Sequence, residues 1–446
     1  MDITTLRAVL WDLRRRVLPS RFEKAQQPDP ATVQLGLRSL NGMVWLELSW
    51  RAEAARLTQV AAPPKGGSGS TLAQQLQHTL RQLALVELHQ NGFERVVEFR
   101  FAHRPGEPVQ KSLVLELMGR HSNLLLLDDQ RKVIALGRQV RDHQSRVRPI
   151  STGDPYSNPP PLQGRAPDRD EPLERWQSRL CLVPVTLRKA LQQSYQGISP
   201  ALALQLAGSW LDSPVQELTT HQWAVLHQRW SLWLQQLSRE NFQFLQQDAG
   251  SYRVWGHADH AGPQEPPLAL QLGVLFKRAL NERSLQQMST ELQQRLQRWR
   301  SKEQTALDDQ SKRLNATSDH RAVQQKADAL LCLPHPSRDQ VEEAQKLYQK
   351  ARKLRRSVPL LQDRINHHQQ RLELIDGSET FIDDQLKAAW EDCAPRLQAL
   401  AELRDELDEL LQAKERGRGK RQKREQNPKP LEVTTDNGMV VQVGRN

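Results

Sequence analysis

The chain has 446 residues, too many for one ordinary core, and 63 Lys+Arg against 52 Asp+Glu give it a formal net charge of +11. That excess favours a polyanionic partner such as nucleic acid. No run approaches ~18 consecutive apolar residues, which excludes a membrane-spanning helix, and the three cysteines, Cys181, Cys332 and Cys393, form no C-x-x-C pair and argue against a zinc ribbon or a disulfide framework.

Met1 to Phe22 reads as a short amphipathic helix carrying Arg14, Arg15 and Arg16, without the apolar run or cleavage site of a secretory signal. A cytoplasmic protein is expected. Thr32–Leu40 and Met43–Trp50 flank Asn41-Gly42, a strong hairpin signal. Pro63–Ser70 is a flexible insert, and Leu72, Leu76, Leu80 and Leu83 recur at helical spacing. Arg95–Phe101 predicts a strand. After it, the segment ELMGRHSNLLLLD (Glu116–Asp128) predicts a hairpin bending at Gly119, whose turn carries Arg120, His121, Ser122 and Asn123. An α+β domain over residues 1–162 follows, closed by the prolines of DPYSNPPP (Asp154–Pro161).

Residues 173–247 read as all helical. A helix ending near Gln193, a turn through Gly197 and Ile198, and a new helix opening at Ser199-Pro200 have the layout of a helix-hairpin-helix. Such a turn aims backbone N–H groups at a phosphate; an ordinary αα-corner has the same signature. Trp210, Trp223, Trp230 and Trp233 recur at spacings that bury them in a small bundle. In the connecting segment 248–272, His257, Asp259 and His260 lack a third spaced ligand, so no metal site and no cofactor is expected.

Residues 273–413 carry an apolar stripe at spacings of three and four, broken once at Cys332–Ser337, which predicts a long antiparallel coiled coil whose return helix kinks at Pro359. On it, Lys346, Lys350, Arg352, Lys353, Arg355 and Arg356 stand together without an acid, a candidate phosphate-contacting surface. A basic linker (414–430) leads to a β-hairpin with Asn437-Gly438 at its turn, so that residues 431–446 are expected to begin a further domain.

Several segments in this order, SRFEKAQQPD, NGFERVVEF, ELMGRHSN, SRVRPISTGDPYSNPPP, YQGISPALA and EAQKLYQKARKLRRS, resemble the NFACT family of ribosome quality-control factors. The resemblance implies an N-terminal domain related in fold to the formamidopyrimidine-DNA glycosylases, a helix-hairpin-helix module, a coiled-coil arm and the start of a C-terminal RNA-binding domain. It implies a monomer that binds a large ribosomal subunit, its rRNA and proteins, when blocked by peptidyl-tRNA. It further implies recruitment of a charged, alanine-accepting tRNA for template-free tailing of the nascent chain, with no catalytic residue, metal or membrane. On the matching positions the tRNA would be met by Asp2, Glu94, Arg95, Arg120, His121, Ser122 and Asn123, and phosphate by Gly197, Ile198 and Ser199. Glu94 stands where the family usually has Asp, and the small insert between the coil helices is reduced to LPHPS. Two other classes are weaker. A glycosylase would need an N-terminal proline nucleophile where this chain reads Met1-Asp2-Ile3, and an adhesin role, which the family's fibronectin-binding label raises, is at most secondary.

Overall fold

The computed structural model describes residues 1–64, 70–141, 143, 145, 148–247, 251–256, 265–318, 320–388, 393–419, 431–434 and 440–443. The chain divides into two compact units, Met1–Ala279 and Leu280–Asn446. Lys65 to Gly69 of the proposed insert, His257, Asp259 and His260, the linker from Lys420 on, and Asn437-Gly438 lie outside the described residues.

The first unit opens with α1 (Ile3–Arg16), capped by Asp2 and burying Ile3, Leu6, Leu10 and Leu13 along one stripe. The helix is shorter than expected, because Ser20 already enters β1 (Ser20–Asp29) after Pro19 has ended the helical run. Then come β2 (Thr32–Ser39), β3 (Gly42–Ser49), β4 (Arg56–Val60), α2 (Thr71–Thr79), β5 (Ala84–His89), β6 (Val96–Ala102), β7 (Lys111–Glu116), β8 (Asn123–Leu127) and β9 (Val133–Leu136). The β2–β3 hairpin is as predicted, but its loop residues are Leu40 and Asn41. Ser39 pairs with Gly42, whose φ of 110° suits only glycine well.

All nine strands form one antiparallel sheet in the order β4-β3-β2-β1-β5-β6-β7-β8-β9. It consists of two meanders joined where β1 meets β5 through two residue pairs, Ser20↔Leu85 and Arg21↔Ala84. Beyond that seam a side chain takes the place of a strand. The amide of Gln77 on α2 accepts from Ala25 N at 2.9 Å and donates to Glu23 O at 3.1 Å. The run of leucines in β8 is explained by burial on both faces: Leu124 and Leu126 join the main core, while Leu125 and Leu127 pack with Val114, Val133 and Ile150 on the opposite side.

Helices complete the unit: α3 (Leu173–Leu180), α4 (Leu187–Ser194), α5 (Pro200–Ala207) and α6 (Thr220–Arg239). Trp176, Trp223, Trp230 and Trp233 are fully buried, whereas Trp210 is half-buried under Arg229. A short hairpin, β10 (Leu245–Gln246) with β11 (Tyr252–Arg253), follows. Next is α7 (Leu268–Ser318), whose first residues Leu268, Ala269 and Leu272 belong to the core of the first unit. Its free Ala269 N–H is capped by Asp12 Oδ2 at 2.8 Å, and Arg16 grips the same carboxylate with two bonds of 2.6 and 2.7 Å.

In the second unit α7 continues, followed by α8 (His320–Leu331), α9 (Arg338–Lys387) and α10 (Ala394–Gly419), then the pair β12 (Leu431–Thr434) and β13 (Val440–Val443). The break at Cys332–Ser337 is where the sequence places it, and Ser337 caps α9 through a capping box with Gln340. Pro359 lies inside the helix, which is continuous from Arg338 to Lys387. One expectation needs correction. The apolar seam is more than a two-helix pairing: Leu285, Leu292, Leu296 and Trp299 of α7 pack with Ile375 and Ile382 of α9 and with Leu400 and Leu407 of α10. Ion pairs of Arg295 with Asp408 and of Arg300 with Asp376 and Glu379 cross the same three helices.

Candidate nucleic-acid interface

The first unit gathers its sequence-distant motifs around the start of α1. The Asp2 carboxylate accepts from Thr5 N at 2.8 Å, capping α1, and its other oxygen accepts the hydroxyl of Ser199 at 3.1 Å. Ser199 in turn caps α5 by accepting from Leu202 N at 3.0 Å, with Pro200 at the first helical position. One carboxylate thus serves the positive ends of two helices. The turn before α5 requires Gly197, at φ 76°: a Cβ there would lie 3.0 Å from Ile3 Cγ2 and from a ring carbon of Phe93. The Ile198 side chain is buried, so this turn offers backbone rather than side-chain groups.

Phe93 belongs to the turn that delivers Glu94 and Arg95. Arg7 fixes that turn, donating to Gly92 O at 2.6 Å while its guanidinium lies over the Phe93 ring. Arg95 points towards the chain start, its Nη1 3.5 Å from Met1 O. Burial pushes its guanidinium below the usual arginine range, and the carboxylates of Asp2 and then Glu94 pull it back. Glu94 points elsewhere, accepting from Leu162 N at 3.3 Å. The two side chains therefore leave the backbone on different sides, as neighbours on an extended chain do.

Leu117 N donates to Arg95 O at 2.8 Å, which draws the β7–β8 connection to the same end of the sheet. That connection is a six-residue loop closing at the Glu116↔Asn123 pair, with a 3-10 turn over Gly119–His121. Gly119, at φ 57°, sits near Ala52 O. Arg120 and His121 are exposed, joined by a 3.1 Å bond between Nε and Nε2. Ser122 and Asn123 are buried: Ser122 Oγ accepts from Met118 N, and Asn123 accepts from Leu124 N and Arg138 N while donating to Arg138 O. These two hold the loop that presents the arginine and histidine.

Below Glu94 the outer face of the sheet forms a cavity of about 540 Å³ lined by Glu94, Glu98, Arg100, Arg131 and Tyr156. Burial works to raise the Glu98 pKa, but the Ser112 hydroxyl and the guanidinia of Arg131 and Arg100 outweigh it and hold the carboxyl below its ordinary range. Beside it Arg148 makes a two-pronged pair with the buried Glu116, at 2.9 and 2.6 Å, and Tyr156 donates to Glu116 at 3.0 Å. Burial and then the Glu116 charge raise the tyrosine pKa well above its ordinary value. Sequence reasoning missed Glu98, Glu116, Arg131, Arg148 and Tyr156 as parts of one cluster. The signal was available only as Glu98 and Glu116, acids within otherwise apolar strands; Arg131, Arg148 and Tyr156 come from turns and loops that local sequence does not connect to them.

In the second unit, Lys346, Lys350, Arg352, Lys353, Arg355 and Arg356 are all exposed on α9, and none pairs with a described acid. Ala344 and Ala351 on the same helix are buried, so the cations stand off a seam of small residues. Among the described residues no group of three or more His, Cys, Asp or Glu is placed to hold a metal ion, and no helix is long and apolar enough to cross a membrane.

The sequence matches the family model described as NFACT N-terminal and middle domains over residues 2–340 and 335–426. A curated relative, the Rqc2 homolog RqcH of Streptococcus pneumoniae serotype 2, is 24% identical over 99% of this chain and 80% of its own length. The Rqc2 homolog RqcH of Streptococcus suis is 29% identical over 44% of this chain and 36% of its own. Among solved structures, the N-terminal part of the fibronectin/fibrinogen-binding protein from Streptococcus suis aligns at a TM-score of 0.47 and 22% identity, covering 62% of this chain and 99% of that one.

Proposed function

This chain belongs to the NFACT family, and from that membership we propose that it is a ribosome-associated quality-control factor which holds a charged tRNA on a large ribosomal subunit blocked by peptidyl-tRNA. The observation that carries the reading is the convergence of Asp2, Arg95, the Arg120–His121 loop and Ser199 from four distant segments onto one end of the first unit. Arg95 and Arg120 supply cations, while His121 and the backbone around Gly197 and Ser199 supply hydrogen-bonding groups; that combination suits RNA backbone and unstacked base edges. The turn from α4 to α5 acts as the helix-hairpin-helix element, and the first 162 residues as the glycosylase-related domain. The cations of α9 contact rRNA phosphates. The protein positions substrates, and the ribosome makes the peptide bonds of the C-terminal tail, built from alanine and marking the nascent chain for degradation.

Sedimentation of the tagged protein from a lysate, with sequencing of the copurified RNA, tests this directly. Comigration with large subunits and enrichment of one tRNA is expected. Failure to enrich any tRNA, or association with neither subunit, would sink the reading.

A further inference from the structure

A second cavity, of about 710 Å³, opens in the first unit between the start of α1, α5, α6 and the β10–β11 hairpin, and shares Asp2 with the interface above. Two of its lining residues are cations with donors to spare for a ligand. Arg229 lies over the Trp210 ring and spends one nitrogen on Leu206 O at 2.9 Å. Arg253 lies over the Trp255 ring, and its other face is covered by Gly256, where a Cβ would come within 3.1 to 3.3 Å of three guanidinium atoms. Gly256 holds φ 114°, a conformation that favours glycine. The guanidinium of Arg253 is thus clasped on both sides, yet no described residue accepts from it, and its Nε is buried without any partner. An arginine carries five donors and keeps its charge in proteins, so a clasped fork without an acceptor is a cost that an anion would remove.

Among the described residues the only acid on the cavity wall, Asp2, is already committed to Thr5 N and the Ser199 hydroxyl. The inner neutral polar groups are committed too: Gln205 donates to Tyr252 O and accepts from Trp255 Nε1, Thr5 meets the Tyr252 hydroxyl, and Thr4 accepts from Trp233. What remains to meet a ligand is two guanidinia, the exposed amide of Gln247 at the rim and an apolar wall of Leu204, Leu232, Val254 and Trp255. A bare oxyanion would leave that wall uncovered, whereas the volume falls within the range of sites for organic ligands.

We propose that this cavity binds one nucleoside monophosphate unit, its phosphate on Arg229 and Arg253 and its base against the apolar wall. Guanidinium forks match phosphate geometry, and with the inner neutral polar groups engaged the site reads base shape weakly. The same chemistry is offered by a free nucleotide and by a single nucleotide turned out of an RNA strand.

Equilibrium dialysis of the purified full chain at low salt, with labelled AMP, CMP, inorganic phosphate and a hexaribonucleotide, distinguishes these. AMP and CMP are expected to bind saturably within about threefold of each other and at least about tenfold more tightly than phosphate. Arg253→Gln and, separately, Arg229→Gln should each weaken binding by about tenfold or more; the thermal unfolding midpoint should stay in place in Arg253→Gln, whereas Arg229→Gln also gives up the bond to Leu206 O and should lower it modestly. A hexamer that binds more tightly than AMP, and loses that advantage in both variants, assigns the site to RNA; AMP binding the more tightly assigns it to the free nucleotide. No saturable binding of AMP, CMP or hexamer, or binding untouched by both substitutions, overturns the proposal. Sedimentation with large subunits is expected to survive Arg253→Gln, which separates this site from the ribosomal role.

Discussion

Gly273 of α7 lies against the carbonyl oxygen of Gln59, so close that a Cβ at position 273 would sit 2.0 Å from it. Backbone cannot yield as a side-chain tip can, so Gly273→Ala must displace α7 from β4. The expected loss is about 1–3 kcal/mol, read as a lower urea midpoint by tryptophan fluorescence, since most tryptophans lie in the first unit. Gly377→Ala is the control of opposite sign. Nothing stands within 4 Å of a Cβ there, and removing a glycine from the exposed interior of α9 should stabilise that helix by up to about 1 kcal/mol.

Arg95→Ala should reduce tRNA copurification strongly while leaving large-subunit sedimentation in place. Its guanidinium makes one long bond, to Met1 O at 3.5 Å, so the fold should lose less than about 1 kcal/mol. Glu94→Asp should retain tRNA. Unfolding of the first unit by Arg95→Ala would instead make the residue a structural counterion to Asp2.

Converting Lys346, Lys350, Arg352, Lys353, Arg355 and Arg356 to Gln should leave helicity unchanged, because all six are exposed. Large-subunit affinity should fall and its salt dependence flatten, by roughly 0.7–0.9 in slope for each phosphate that is no longer neutralised. Circular dichroism and sedimentation across a salt series check both. An unchanged slope would remove these cations from the ribosomal interface.

The folded-state pKa of Glu98 lies below the ordinary glutamate value of 4.5. A group lowered on folding contributes stability above its unfolded pKa and loses it as pH falls through the folded one. Stability of the first unit should therefore decline from about pH 4.5 downwards, and Glu98→Gln should reduce that decline while lowering stability at neutral pH. A pH profile identical to wild type would show that Arg131 and Arg100 hold the site without help from the charge.

Much of the architecture is legible in local chemistry. Ser199-Pro200 and Ser337 with Gln340 are signals carried within one turn of chain, and each marks its helix. The Leu72–Leu83 spacing, by contrast, overruns α2, which ends at Thr79 with Leu80 as its cap and Leu83 beyond it. What could not be read depends on packing between distant segments. The addition of α10 to the α7–α9 seam rests on Leu400 and Leu407, whose spacing is the same in a two- or a three-helix packing. Asp12 looks like a solvated residue in a basic helix until α7 arrives to be capped by it. In the interface, Arg120 was recognisable by its turn, whereas the engagement of Asn123 with Arg138 needed β9 to come alongside.

The amide of Gln77, which stands in for a missing strand beside β1, also bears on self-association. A sheet that parts company with its neighbour normally exposes a ladder of unpaired donors and acceptors, a template on which a strand of another molecule can grow. Here a side-chain peptide mimic occupies that ladder at Glu23 and Ala25. Gln77→Leu would keep the bulk and remove the mimicry, leaving the internal gap open to strand invasion, and the consequence would be seen as concentration-dependent aggregation of an otherwise folded chain.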